Sequence, residues 1–535
     1  MEEGGILLVG YEDQENLGLR YLAAYLEKRG IRVLIAPFQY DHKEDLLALI
    51  RTAKPNLVGF SLIFQRMVFD FKGLMSYLRE SGVTCHFTIG GHFPSLEPRL
   101  TLDLMPELDS VARFEGEETL FELSAKIAIP SAWGRIAGLA YREGGDIRVN
   151  QNRPLLLNLD SLPFPVREQH AALHRGMGIS SILASRGCYY DCSFCSIHQF
   201  YREPPGPLRR TRSPSNIVRE MEELFHKKNT RVFIFQDDEW FMKGSYHIQW
   251  INDFVQELNL SSIRNEILWR ISCRIDDVNA SLLNQMKDAG LMCVYIGIES
   301  GNDQGLRTFN KHYSVSDIFR AVNVLDEIRM PFEFGFMIFD PGSTFDSVLE
   351  NIAFLRELTN GGRAIAHFCK MVPYAGTTIA RVLDKEGRLA GTVASPDYGY
   401  HDNRLSILQY FASIVFNYRN FSRDGLVERL RTAKFDSIVL KKYFSDVYDV
   451  DRYGDAVREL IQRSNDAALE TLDIATRFMS AKTEEDIVAQ WPLMEQLAAE
   501  EQEAERNITA SLDGLEATFG ADHYSVLKRP REDGP

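Results

Sequence analysis

The sequence predicts an α/β protein built in three parts. Residues 1–160 read as a doubly wound parallel sheet, residues 161–395 as strand–helix repeats curling into a partial barrel, and residues 396–535 as helices. Three observations lead there. Short, continuous apolar runs alternate with amphipathic segments through the first part, which implies a parallel sheet covered on both faces. A proline-bearing stretch interrupts that alternation, which then resumes. Beyond residue 395 only helical spacing remains. At 535 residues the chain is too long for one core.

In the first part, GGILLVGYE is a short strand and LGLRYLAAYLEKRG an amphipathic helix stopped at Gly30. IRVLIAPF, helical DLLALIRTAK and the buried-type strand NLVGFSLI follow, then the helix MVFDFKGLMSYLRESG and the strand VTCHFTIGG. Parallel sheets bind ligands at the carboxyl ends of their strands. Two ends stand out: Ser61 closes one strand, and Gly90-Gly91-His92 closes another, where glycines let backbone approach a ligand. FEGEETLFEL, from Phe114, reads as a strand end entering a helix with an acidic first turn, including Glu115.

The linker NLDSLPFPVREQH holds two prolines and marks a boundary. SILASRG opens the second part, followed by a cysteine-rich loop and a helix, SPSNIVREMEELFHKK, with Pro214 at its start. The strand RVFIFQ ends in Asp237-Asp238-Glu239. ILWRISCRID, helical NASLLNQMKDAG, MCVYIGIES, the SDIFRAVNVLDEIR helix, FEFGFMIFD, the TFDSVLENIAFLREL helix and AIAHFCKMVPYAGT complete about six repeats. Such a curl places strand ends on one face, as barrels place their sites. LSILQYFASIVFNYRN, the stretch around DAVRELIQRSNDAALETLDIATRFM, and DIVAQWPLMEQLAAEEQEAERNITASLDGL read as the terminal helices, before a frayed KRPREDGP end.

Composition narrows the function classes. Hydrophobic residues make up 45% and charged residues 25%, ordinary for a globular chain. No apolar run is long enough to span a bilayer, and the MEEGG start is unlike a signal peptide, so the expected location is cytoplasmic. The net charge of −15 argues against a general nucleic-acid binder. PGPLRRTRSP is a local exception: Arg209, Arg210 and Arg212 form either a solvated loop or a contact for an anionic substrate.

The chemistry concentrates at Cys188, Cys192 and Cys195, a C-x3-C-x2-C triplet. Thiolates are the ligands iron–sulfur clusters demand, and three of them leave one iron of a four-iron cluster open. His198 keeps a Cys3His zinc site in play, and buried structural cysteines are the other alternative. Cys85, Cys273, Cys293 and Cys369 lie inside strand-like runs and are expected in the core.

The triplet, with the strand ends that follow it in order, resembles the radical SAM enzymes, in which S-adenosylmethionine (SAM) chelates the open iron. The resemblance implies a (β/α)6 partial barrel and a [4Fe-4S] cluster on Cys188, Cys192 and Cys195. Phe194 matches the aromatic position against the adenine, and Asp237 and Asp238 match the end that meets the methionyl amine. Arg270 and Arg274 close the third strand, Arg274 suiting the SAM carboxylate or ribose. Gly297-Ile298-Glu299-Ser300-Gly301 matches the fourth-strand segment, with Glu299 at the ribose. GFMIFDPGST resembles the fifth ending, with Asp340 in place of a small residue, and VPYAGT the sixth.

Ser61, the Gly90-Gly91 turn and the Glu115-Gly116-Glu117-Glu118 segment resemble the flavodoxin-like (Rossmann) cobalamin-binding domains fused to such enzymes. The resemblance implies cobalamin contacts at Ser61, Gly90, Gly91 and Glu115. The place of a D-x-H-x-x-G loop holds Glu12-Asp13-Gln14-Glu15-Asn16-Leu17-Gly18, so no histidine from there would ligate cobalt.

Together these imply reductive cleavage of SAM to a 5′-deoxyadenosyl radical, hydrogen abstraction from an unreactive carbon and methylation of a small biosynthetic intermediate. An external donor such as flavodoxin or ferredoxin would supply electrons. The alternatives are deoxygenation, rearrangement or cyclisation with a degenerate or differently used cobalamin domain, and a cobalamin or redox sensor. A tRNA methylthiotransferase fits less well: Cys85 is the one cysteine upstream of the triplet, and the tail is acidic.

Overall fold

The computed structural model describes residues 4–519 apart from 13–14, 168–171, 175, 242–243 and 447. Asp13 and Gln14 of the first loop, the first residues of MEEGG and the KRPREDGP end lie outside the described residues. The chain forms two compact units. One takes residues 1–171, 180–223 and 372–398; the other takes 172–179, 224–371 and 399–535.

The first unit is built on a seven-stranded sheet in the order Val33–Pro37, Ile6–Gly10, Leu57–Ser61, His86–Gly90, Ser110–Ala112, Leu139–Glu143, Asp146–Val149. The first five strands are parallel and the last two antiparallel. Their apolar runs feed a core on each face, Leu7, Val58, Phe71 and Phe87 on one and Ile6, Leu26, Leu123 and Trp133 on the other. Helices Leu17–Glu27, Lys43–Ala53, Val68–Glu80 and Glu117–Lys126 cover them. The sequence reading assigns no strand to 139–149. The structure places a hairpin there, turned by Gly144 and Gly145, both at positive φ, as a two-residue connection requires.

The second unit has its own seven-stranded sheet, in the order Cys369–Lys370, Phe332–Phe339, Leu291–Glu299, Leu268–Cys273, Thr230–Phe235, Met177–Ile182, Ala172–His174. From Thr230 to Lys370 neighbouring strands pair in parallel and in chain order, the half-barrel expected from the repeats. Phe235, Trp240, Trp250, Phe254 and Trp269 form a packed aromatic cluster between its strands and the helix Ser245–Leu260. Helices Arg404–Phe421, Leu426–Tyr443, Val450–Ser480 and Trp491–Phe519 belong to the same unit, and Ile365 shares a core with Leu430, Tyr453, Ile461 and Leu512.

The sixth strand is only two residues long, although AIAHFCKM reads as a full strand. Helix side chains take its backbone groups instead. Asn465 donates to Ala364 O (2.9 Å) and accepts from Ala366 N (2.8 Å), Arg419 donates to Ala366 O (3.0 Å), and Asn420 donates to Phe368 O (2.9 Å). An otherwise open sheet edge is thereby satisfied without pairing.

Candidate active site

The cysteine loop leaves the short strand Ser185–Gly187, which pairs antiparallel with Arg209–Thr211. Gly187 sits at φ +91°, and a Cβ there would collide with the carbonyl of Leu208, so glycine is required immediately before Cys188. Cys188, Cys192 and Cys195 are half-buried, and none is in a disulfide. Cys195 N donates to Cys192 O (3.1 Å), and Cys195 is the N-cap residue of the helix Ser196–Arg202. Phe194 is half-buried in the same loop, and Ile379 N donates to Ser193 O (2.9 Å).

His198 lies one turn into that helix, and burial lowers its pKa. Among the described residues no three His, Cys, Asp or Glu side chains stand together as a metal-ligand set. As they stand, the side chains form neither a Cys3His arrangement nor a closed thiol trio. The loop fits an iron–sulfur cluster by donor chemistry: three thiols, none in a disulfide, on a segment that starts and ends in fixed structure.

The arginines beside the loop correct the sequence reading. Arg209, Arg210 and Arg212 are buried, neither a solvated loop nor an open anion contact. Arg212 donates to Glu220 (2.5 Å) and Asn216 (2.7 Å), and Arg210 to Glu115 (2.9 Å) and Leu156 O (2.8 Å). Arg186, two residues before Cys188, donates to Glu115 (3.2 Å) and Glu117 (2.7 Å). Glu115 also accepts from Leu156 N (2.9 Å), so both its carboxylate oxygens are committed to protein partners. Burial raises the Glu115 pKa, but the arginines and the Leu156 amide outweigh it and hold the carboxyl below its ordinary value.

The carboxyl edge of the first unit's sheet is lined by small residues in register: Pro37, Gly10, Ser61 and Gly90 stand side by side on four neighbouring strands. Gly91, at φ +118°, turns so tightly that a Cβ would strike Leu62 O. Ser61, Gly90 and Gly91 are half-exposed there, where small residues let a ligand approach the backbone, whereas Gly10 is buried and a Cβ on it would meet Leu19. Ile63 and Phe64 follow at 40% exposure each, and Phe64 meets Tyr11 edge-on. The loop where a D-x-H-x-x-G motif would lie is tied down by its own pairs. Glu12 takes Arg20 (2.6 Å), Glu15 takes Arg167 (2.8 Å), and Asn16 caps the first helix. His92 is half-buried and engaged within the protein: its Nδ1 is 3.1 Å from the Ser196 hydroxyl, its ring lies 4.6 Å from that of Phe200, and burial lowers its pKa to about 4.

In the second unit the parallel strands bring Asp237, Arg274, Glu299, Asp340 and Lys370 to one carboxyl edge. Asp237 is buried and Asp238 exposed. Arg274 donates to Asp276 (2.9 Å) and to Lys311 O (2.6 Å). Glu299 occupies a register shift and stands at φ +69°, a conformation a non-glycine residue adopts only when its surroundings impose it. Its carboxylate lies 3.4 Å from the Lys311 ammonium. Ser300 is fully buried beside Asn351, which also accepts from Gly301 N (2.8 Å). Arg270 does not reach the strand end; it pairs with Glu333 (2.9 Å) within the sheet. Asp340 accepts from Gly342 N (2.7 Å) and caps its own turn. Cys273 and Cys293 are buried, Cys85 and Cys369 half-buried.

Lys311 and Tyr313, whose hydroxyl donates to Gly297 O (2.5 Å), escape sequence reasoning. They lie in a loop with no periodicity. The available signal is a lysine and a tyrosine flanking a residue at positive φ, which sequence does not display.

The B12 binding domain model matches residues 5–124, and the Radical SAM superfamily model matches residues 182–355. An uncharacterized methyltransferase of Pyrococcus horikoshii is 26% identical over 369 residues, 68% of this chain and 77% of the relative. The anaerobic magnesium-protoporphyrin IX monomethyl ester cyclase of Cereibacter sphaeroides is 26% identical over 330 residues, 59% of this chain, and the match spans only 52% of that enzyme. The solved structure of the cobalamin-dependent S-adenosylmethionine radical enzyme OxsB, with aqua-cobalamin and S-adenosylmethionine bound, superposes at TM-score 0.71 and 16% identity. It covers 98% of this chain and 82% of that one. The cofactors that go with the two matched domains are a [4Fe-4S] cluster, SAM and cobalamin. With a B12-binding domain ahead of a radical SAM half-barrel, the chain belongs to the radical SAM enzymes that carry a B12-binding domain.

Proposed function

We propose that this enzyme is a cobalamin-dependent methyltransferase acting on an unactivated carbon of a small-molecule biosynthetic intermediate, with electrons from a flavodoxin or ferredoxin. The observation that supports cobalamin use most directly is the half-exposed pair Ser61 and Gly90, side by side at the sheet's carboxyl edge, with the constrained Gly91. A degenerate domain has no need to keep its ligand edge free of side chains. When bound, the cofactors supply the radical and the methyl group.

The chain supplies holding, orientation and exclusion of water. Cys188, Cys192 and Cys195 hold the cluster, and Phe194 packs against the adenine. Asp237 offers a buried carboxylate to the methionyl ammonium, with Asp238 beside it, and Arg274 and Glu299 meet the carboxylate and ribose. Ser300 fixes the turn that presents Glu299. Ser61, Gly90 and Gly91 bring backbone against the corrin. No nucleic-acid role is part of this reading, because a net charge of −15 disfavours phosphate contacts. Among the described residues no helix is long and apolar enough to cross a membrane.

A second reading is favoured by the cyclase relative: a radical reaction without methyl transfer. The test is anaerobic reconstitution with hydroxocobalamin, followed by trideuteromethyl-labelled SAM, a reductant and a small-molecule extract. A labelled product with 5′-deoxyadenosine and S-adenosylhomocysteine supports methylation. Cleavage of SAM to 5′-deoxyadenosine with no labelled product supports the second reading.

A further inference from the structure

We propose that the Glu115–Glu117 turn and His92 of the B12-binding domain are positioning residues for the cysteine loop, gripping it on both sides of the three thiols. The inference rests on the reading of that loop as the cluster's ligand segment. Two independent contacts carry it. On the entry side, Arg186 stands two residues before Cys188, and its guanidinium is divided between Glu115 (3.2 Å) and Glu117 (2.7 Å). Glu115 takes Arg210 as well (2.9 Å), and Arg210 belongs to the strand paired with Ser185–Gly187, so one carboxylate holds both strands of the hairpin that launches the loop. On the exit side, Ser196 directly follows Cys195, and its hydroxyl meets His92 Nδ1 at 3.1 Å.

The elements that present these groups are themselves fixed. Phe114, just before Glu115, stands at φ +63°, which a bulky side chain rarely adopts. Its N–H donates to the Ser95 hydroxyl (2.7 Å), and its ring meets Phe200. His92 follows Gly91, whose turn tolerates no Cβ. The acidic motif that resembles a cobalamin contact therefore has its charge spent on the loop. The glycine turn at the sheet's carboxyl edge continues directly into the residue that holds the loop's far end. Arginine forks and short hydrogen bonds fix direction as well as distance, which apolar packing does not.

The test uses the full chain without metal, alkylated by iodoacetamide and mapped by mass spectrometry. Cys85 is the internal reference. It is half-buried in the same unit and its thiol is pushed up to about 11 by burial, so it labels slowly until the unit opens. Glu117→Gln is expected to raise labelling of Cys188 relative to Cys85 by about tenfold, because local opening then precedes general unfolding. Ser196→Ala is expected to raise Cys195 more than Cys188. Unchanged Cys188 labelling in Glu117→Gln with Cys85 protected overturns the proposal, as does unchanged Cys195 labelling in Ser196→Ala. If Glu117→Gln opens Cys85 too, Ser196→Ala, which deletes one half-buried hydroxyl, decides.

A second readout separates positioning from bulk stability. In reconstituted protein matched for iron content, both variants are expected to alter the SAM-induced shift in the reduced cluster's EPR spectrum; an unaltered shift in both counts against positioning. Failure of the parent to take up iron would sink the cluster reading instead, and leaves the thiol labelling able to decide the grip.

Discussion

Glu505→Gln should make the second unit more stable at pH 8 than at pH 5, relative to the parent. Arg419 is fully buried in the helical layer, donating to Ala366 O (3.0 Å), Asn420 (2.7 Å) and the Ser464 hydroxyl (2.9 Å). Glu505 lies 3.7 Å from its Nε, and Glu501 accepts from the Thr471 hydroxyl (3.0 Å). Burial pushes Glu505 from 4.5 to about 7; Arg419 opposes that and Glu501 adds to it. A carboxyl raised on folding favours the native state below about pH 4.5 and loses that advantage as pH rises through 7. The gap between 4.5 and about 7, at about 1.36 kcal/mol per pH unit, is about 3 kcal/mol. The side chain is 17% exposed, so about 2 kcal/mol between pH 5 and pH 8 is the working figure after solvent screening. Urea unfolding followed by tryptophan fluorescence reads it, since Trp240, Trp250, Trp269 and Trp491, four of five tryptophans, lie in this unit. Parent and variant curves that stay parallel from pH 5 to pH 8 refute the reasoning.

Cys192→Ala should abolish the cluster's charge-transfer absorbance and 5′-deoxyadenosine formation, measured by visible spectroscopy and chromatography; retention of both contradicts the ligand assignment. Glu299→Ala should weaken SAM binding by about tenfold, the cost of losing a charged hydrogen bond, with iron content near normal by colorimetric assay. Gly91→Ala should destabilise the first unit by about 2 kcal/mol through strain at a positive φ, and desalted protein should retain less hydroxocobalamin.

The fold is legible in the sequence wherever apolar period and caps agree. Asn16, Asn279 and Thr344 each accept a first-turn N–H where the sequence places a helix start, and Ser314 does so two residues before the start of SDIFRAVNVLDEIR. Legibility fails where side chains replace ladder bonds. AIAHFCKM has strand composition, but Asn465, Asn420 and Arg419, over fifty residues away in the chain, take the backbone groups a neighbouring strand would have used. The site divides the same way. The cysteine triplet and the Gly90-Gly91 turn are local patterns. The fate of Glu115 depends on arginines brought to it only by folding, and Lys311 reaches Glu299 from a loop without periodicity.

The arginine run near the cysteines shows why charge in this chain is a poor guide to ligands. With fifteen more acidic than basic groups overall, an arginine meets a carboxylate of its own chain more readily than a foreign anion. Arg167 takes Glu15 and Glu220, Arg212 takes Glu220, and Arg186 and Arg210 share Glu115. Buried pairs of this kind contribute little net stability over apolar packing, because desolvation offsets their attraction. The sheet cores accordingly stay apolar, with Leu7, Val58, Phe87, Leu26 and Leu123. Arg186 and Arg210 stand instead on the hairpin that leads into the cysteine loop, with Arg212 directly after it, where direction matters more than burial. A loop that must hold thiols at fixed angles needs partners with fixed angles, and guanidinium–carboxylate forks supply them.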